Sequence, residues 1–186
     1  MTKAVKKARA SRRDWIEAGL WLLAEEGLES VTIDRLCANL GLTKGSFYWH
    51  FKGSQEFLQS MADYWSNSAD FLDTLRTSNK DDWEQINEIA RRVGDLGYGR
   101  IDKAMRVWAE SCSETAESVS KTDREVIQFV SEKLTNIGLE SGDTKTLSEM
   151  IVACGIGLAS IDPSPTPGKQ KKMEKLWLQL IQSLKR

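Results

Sequence analysis

Residues 32–51 of this 186-residue chain read TIDRLCANLGLTKGSFYWHF, and they decide the fold. Thr32 is a good N-cap, with Asp34 favourably placed in the first turn. Ile33, Leu36, Cys37 and Leu40 follow at the i, i+3, i+4, i+7 spacing of one apolar helical face. Gly41 falls just past that face, where a left-handed C-terminal residue belongs. Leu42 fills the turn and Thr43 is placed to cap a second helix. Two helices joined by a short Gly-containing turn are the sequence form of a helix-turn-helix.

In the second helix Phe47 and Phe51 are four apart and face inward together. The outward surface is then Gly45, Ser46, Tyr48 and Trp49, bordered by Lys44 and His50. A groove-facing helix has a use for such a surface. Hydroxyls and a lysine reach phosphates, while ring faces meet sugars and thymine methyls. Gly45 would let the backbone approach a duplex closely. The plainer alternative is that Tyr48 and Trp49 are buried under a neighbouring helix.

Working outward, all three prolines (Pro163, Pro165 and Pro167) lie within five residues, and no alternating run of Val, Ile and Thr occurs. The pattern predicts an all-α protein of about nine helices. A first helix begins near Arg12, carries Ile16, Leu20 and Leu23, and ends at Gly27, completing a three-helix head. From Ser54 one long helix carries Phe57, Leu58, Met61, Trp65, Leu72 and Leu75. Residues 78–81 are a polar break. A helix from about Asp82 carries Trp83, Ile86, Ala90 and Val93, and another carries Ile101, Met105, Trp108 and Cys112. Thr122 and Glu125 have capping-box spacing and are expected to open a helix closed by Gly138. Asp143 is expected to cap the next, and the last helix starts near Gly168. The expected division is a basic arm and head, 1–53, and a ligand-binding and dimerisation body, 54–186.

Net charge is −1, but it is unevenly spread: residues 1–53 carry nine Lys/Arg against six Asp/Glu, and the remainder is acidic. Six of the basic residues fall in the first 13. A basic head on an acidic body suits DNA binding, although a basic tail can also be only a solvated terminus.

The segment GLTKGSFYWHFKGSQEFL, residues 41–58, resembles the recognition helix and following helix start of the tetracycline-repressor (TetR) family, and the resemblance covers about residues 12–60. It implies phosphate contacts from Thr32, Thr43, Lys44, Tyr48, His50 and Lys52. It also implies that Gly45, Ser46 and Trp49 lie nearest the bases. Cys37 and Leu40 depart from the family, which usually has small alanines there, and Gly53-Ser54-Gln55 replaces its usual Lys-rich helix start.

Two apolar stripes end the chain. Leu147, Met150, Ile151, Cys154 and Leu158 form one, with small residues among them. Leu176, Trp177, Leu180, Ile181 and Leu184 belong to the other. Either could pack only on its own body; the resemblance favours a homodimer reading a near-palindromic operator, its recognition helices roughly 35 Å apart. Trp65, Phe71, Trp83, Tyr98, Met105 and Trp108 fall on helices that, by resemblance, surround a ligand cavity, and plain core packing is the alternative for each. The expected function is a transcriptional regulator, a repressor released from duplex DNA by a small, mostly apolar effector. The alternative is a DNA-bound adaptor whose body binds another protein.

No catalytic residue is assigned: there is one histidine, already on the DNA face, and no GxSxG, GxxxxGK[ST] or HExxH occurs. Cys37, Cys112 and Cys154 are far apart and lack CxxC spacing, so no metal and no cofactor are expected. They are most simply small buried residues, with a thiol sensor as the alternative. No signal-peptide pattern follows the basic start. The longest apolar run, residues 150–161, has 12 residues with two glycines and a serine, short for a bilayer, so a cytoplasmic protein is expected.

Overall fold

The computed structural model describes residues 10–67, 69–94, 96–139, 141–162 and 166–183. Among them are ten α-helices: α1 (Arg12–Glu26), α2 (Ile33–Leu40), α3 (Lys44–His50), α4 (Ser54–Ser66), α5 (Ala69–Arg76), α6 (Asp82–Gly94), α7 (Leu96–Ala109), α8 (Ser113–Asn136), α9 (Ser141–Ile161) and α10 (Pro167–Ser183). A 3-10 turn, Leu28–Ser30, follows α1. The all-α expectation holds. The helix expected from Ser54 to Leu75 is instead two, α4 and α5.

The chain forms two compact units, parting between Tyr64 and Trp65. The head therefore extends beyond residue 53. The reason is packing: Phe57 and Met61 of α4 are buried, and both lie within van der Waals reach of where a side chain on Gly19 of α1 would stand. The head core is aromatic. Phe47 meets Trp15 and Phe57 edge-on at centroid distances of 5.5 and 5.4 Å, and Phe51 meets Phe57 at 4.9 Å. Such pairs add about 0.5–1.5 kcal/mol each beyond area burial. Trp15, wholly buried, lies outside the apolar face expected for α1.

α1 starts on a capping box: the Ser11 hydroxyl accepts from the Asp14 backbone N–H, and the Asp14 carboxylate accepts from the Ser11 N–H. Those bonds hold the Asp14 carboxyl below the usual carboxylate range. Gly41, at φ 64°, takes the left-handed position that ends α2.

In the second unit α8 packs against α7 and α9, and α6 against α7, α8 and α9. Leu72, Leu75, Ile86, Phe129, Val130, Leu134 and Ile151 form its core. The buried Lys133 ammonium of α8 lies 3.2 Å from Asp82 at the start of α6, and 5.1 Å from the Phe129 ring centre. Between α7 and α8, Arg106 takes Asp102 and Asp123 together: Nε at 2.9 Å from Asp102 Oδ2, and both terminal nitrogens on Asp123 at 2.9 and 2.8 Å.

Thr122 and Glu125 do not open a helix. They lie inside α8, and the Thr122 hydroxyl donates to the Ser118 carbonyl one turn back. Residues 113–121 contain no breaker, so the helix simply runs through. Gly138, at φ 92°, does close it. α9 begins at Ser141, ahead of the expected Asp143 cap, and Pro167 occupies the first position of α10, where its missing N–H costs nothing. Residues 144–161 of α9 are long and apolar enough to cross a membrane by length and composition, a wider window than the 12-residue run suggests.

Candidate nucleic-acid interface

The turn between α2 and α3 is built by caps. The Thr32 hydroxyl accepts from the Arg35 N–H at 3.3 Å and the Thr43 hydroxyl from the Ser46 N–H at 3.4 Å. The Leu42 N–H donates to the Cys37 carbonyl at 2.9 Å, closing the left-handed turn at Gly41. Each cap satisfies a helix-end donor that would otherwise have only water. Phe47 and Phe51 then fix the inner side of α3 in the aromatic core.

The outer side of α3 is what that anchoring leaves. Tyr48 is 55% exposed and Trp49 76% exposed. Thr32, Thr43, Lys44, Gly45 and Lys52 are exposed, and Ser46 and His50 are half-buried. All nine candidate DNA-contacting residues thus belong to α3, the two caps around its turn and the residue after its C-cap. A side chain on Gly45 would meet only the Thr43 hydroxyl, at 3.7 Å, so the start of α3 presents bare backbone outward.

Lys44 and His50 reach across to other elements of the head. The Lys44 ammonium pairs with Asp34 Oδ1 at 2.7 Å, across the turn. That hydrogen bond raises the Lys44 pKa and keeps it a cation. His50 Nε2 lies 3.0 Å from the Ala10 carbonyl, where the chain enters α1.

The arrangement also includes Arg12, Glu56 and Ser60. The Arg12 guanidinium donates to the His50 carbonyl at 2.7 Å, to Glu56 Oε1 at 3.3 Å and to the Ser60 hydroxyl at 2.7 Å, and lies 4.5 Å from the Phe51 ring centre. Glu56 also accepts the Lys52 N–H at 2.8 Å. That bond, with Arg12, holds its carboxyl below the usual range. The sequence signalled Arg12 only as a helix start, because its partners are 38–48 residues away.

The other candidate groups divide. On α9, Met150, Cys154 and Leu158 face outward, as do Leu176 and Leu180 on α10. Ile151 is buried in the body core, and Leu147 and Trp177 pack against it, so these three stabilise their own unit. The Ile181 side chain and Leu184 lie outside the described residues. Of the expected cavity residues, Trp65, Met105 and Trp108 are buried and Phe71 and Trp83 pack against the body core; the Tyr98 side chain lies outside the described residues. The cysteines are not uniformly buried: Cys37 is, Cys112 is half-buried and Cys154 is exposed. Burial pushes the Cys37 thiol up, away from the reactive thiolate.

Residues 16–61 match the family model of bacterial regulatory proteins, tetR family. An uncharacterised HTH-type transcriptional regulator, TtgW of Pseudomonas putida, is 34% identical over 59 residues, 32% of this chain and 44% of its own. Tetracycline repressor protein class D of Escherichia coli is 36% identical over 55 residues, 30% of this chain and 25% of its own. The match thus covers less than half the length of these relatives. In overall fold it is similar to the reduced form of E. coli NemR, with TM-score 0.70 and 17% identity over 91% of this chain and 96% of that one. A transcriptional regulator from Rhodococcus sp. Rha1 gives 0.71 and 20% over 92% and 96%. Residues 16–61 thus carry the tetR-family match in sequence, and the all-helical fold is similar to that of NemR along nine-tenths of the chain.

Proposed function

We propose that the protein is a sequence-specific DNA-binding transcriptional repressor, with α3 entering the major groove. The observation that carries this is the pair of adjacent exposed aromatics, Tyr48 and Trp49, on a short helix whose inner side is locked by Phe47 and Phe51. Exposed aromatic area of this kind is costly in water and useful against sugars and bases. Thr32, Thr43, Lys44, Tyr48, His50 and Lys52 take the phosphates, and Gly45, Ser46 and Trp49 face base edges.

The working unit is a homodimer joined through the outward row Met150, Cys154 and Leu158 of α9, and Leu176 and Leu180 of α10. The apolar window of α9, little of it buried within one chain, supports a helix-to-helix interface. Release is a population shift: a small, mostly apolar effector in the body favours a spacing of the heads that no longer fits the groove, by as much as its affinities for the two forms differ. The relatives are regulators rather than enzymes, and the protein acts in the cytoplasm on the nucleoid.

The test is selection from random duplex DNA with the purified protein, followed by weighing the complex. The expected result is one near-palindromic site bound by two chains, with half-site centres about one helical turn apart. Binding without sequence preference would contradict the proposal. Effectors are then screened by release from the selected site.

A further inference from the structure

Arg12 is the first residue of α1, yet its side chain does little for α1. Its guanidinium reaches the backbone carbonyl of His50, the last residue of α3, at 2.7 Å. The same group donates to Glu56 and Ser60 on α4 and lies over the Phe51 ring, the residue that ends α3. The contact is answered from the other side, because His50 Nε2 lies 3.0 Å from the carbonyl of Ala10. The start of α1 and the end of α3 are thus tied twice, in opposite senses, with α4 as the backing.

We propose that Arg12 is a positioning residue for DNA binding: it fixes the last turn of α3 on the head without contacting DNA itself. The inference rests on α3 being the DNA-reading helix. α3 has seven residues, just under two turns, so an isolated helix of this length would not persist in water. Its last carbonyls need partners, and a cation there also suits the negative end of the helix dipole. Arg12 supplies both. A planar fork is required, since the His50 carbonyl, the Glu56 carboxylate and the Ser60 hydroxyl are held together; a lysine ammonium keeps the charge but not that fixed geometry. The His50–Ala10 contact joins the same end of α3 to the entry of α1, so losing Arg12 leaves the reading helix held by one tie instead of two.

The experiment compares wild type, Arg12→Ala and Arg12→Lys. The readouts are affinity for the selected duplex across a salt series, thermal midpoint, and exchange of the Phe51 amide, which donates to the Phe47 carbonyl at 3.0 Å. Both variants are expected to bind at least about fivefold more weakly, the loss of one charge-assisted hydrogen bond or more. The slope of log K against log salt is expected to stay at the wild-type value, because Arg12 neutralises no phosphate. Phe51 exchange is expected to quicken at an unchanged thermal midpoint. Wild-type affinity in both variants, or a slope shallower by about 0.9 for each arginine removed, overturns the inference; the second result makes Arg12 a phosphate contact. If Arg12→Ala does not fold, Arg12→Lys decides, and wild-type exchange in it also overturns the inference. Failure of the wild-type protein to select any DNA would sink the functional proposal instead, and Phe51 exchange would still test the tie.

Discussion

Asp34 in the first turn of α2 holds the Lys44 ammonium at 2.7 Å, so the first residue of α3 is paired to protein before it meets DNA. Both side chains are largely exposed, and an exposed pair of this kind contributes little to stability. On DNA, Lys44 exchanges a carboxylate for a phosphate. Asp34 then remains as a negative charge near the duplex.

Replacing Asp34 by Asn therefore tightens binding, by roughly threefold to tenfold, since it frees Lys44 and removes a like charge from the phosphate surface. The gain is expected to shrink as salt is raised. Affinity titrations at two salt concentrations check this, and weaker binding at low salt would contradict it.

Tyr48→Ala and Lys44→Ala are expected to lose operator binding by at least about tenfold each while the protein stays dimeric. Both side chains are exposed, so the head core is untouched. Sizing chromatography beside a binding titration separates the two effects. Normal affinity in both variants would sink the residue assignment.

Gly19→Ala sets two effects against each other. Alanine is the better helix former by about 1 kcal/mol. Its Cβ would, however, stand 2.7 Å from both Met61 Sδ and Phe57 Cζ. Phe57 is wholly buried among aromatic rings and has nowhere to move, so overpacking of about 1–3 kcal/mol wins. Thermal unfolding should show a net loss; a stabilised variant would show that α1 and α4 are not this closely packed.

The Arg106 cluster predicts unequal costs. Removing Arg106, as in Arg106→Met, leaves two half-buried carboxylates facing one another, at a cost of about 2–4 kcal/mol. Asp102→Asn is milder, within about 1 kcal/mol, because Arg106 keeps Asp123. Burial raises the Asp102 carboxyl above its usual range despite the pull of Arg106. A raised folded pKa makes its contribution fully present below the unfolded value and lost as pH rises through the folded one. The stability of wild type relative to Asp102→Asn should therefore fall as pH rises from acid towards neutral. Denaturant unfolding across that interval measures it, and a rise in the same direction would contradict the assignment.

What was legible in the sequence was local. Thr32, Gly41 and Thr43 act through bonds to residues a few positions away, and the inward spacing of Phe47 and Phe51 is set by helix period alone. Such signals place the helix-turn-helix to the residue. Thr122 and Glu125 show the limit of the same method: the local pattern is that of a cap, but no breaker precedes it and α8 continues. The break between α4 and α5 carries no glycine or proline, so periodicity alone bridges it. Arg12 was not legible because its partners lie on α3 and α4, far along the chain. Ile151, Leu147 and Trp177 shared helix stripes with outward residues; only packing against Phe129 and its neighbours separates an inner row from an outer one.

The central claim is that α3 and its flanking cations bind a specific duplex as part of a dimer. Its most direct test is affinity for the selected site titrated against salt, beside a scrambled duplex of the same length. If each dimer neutralises about eight phosphates, log K for the selected site falls with log salt at a slope of roughly −7, and the scrambled duplex binds more weakly at every salt concentration. A flat salt response, or equal affinity for the two duplexes, would contradict the account.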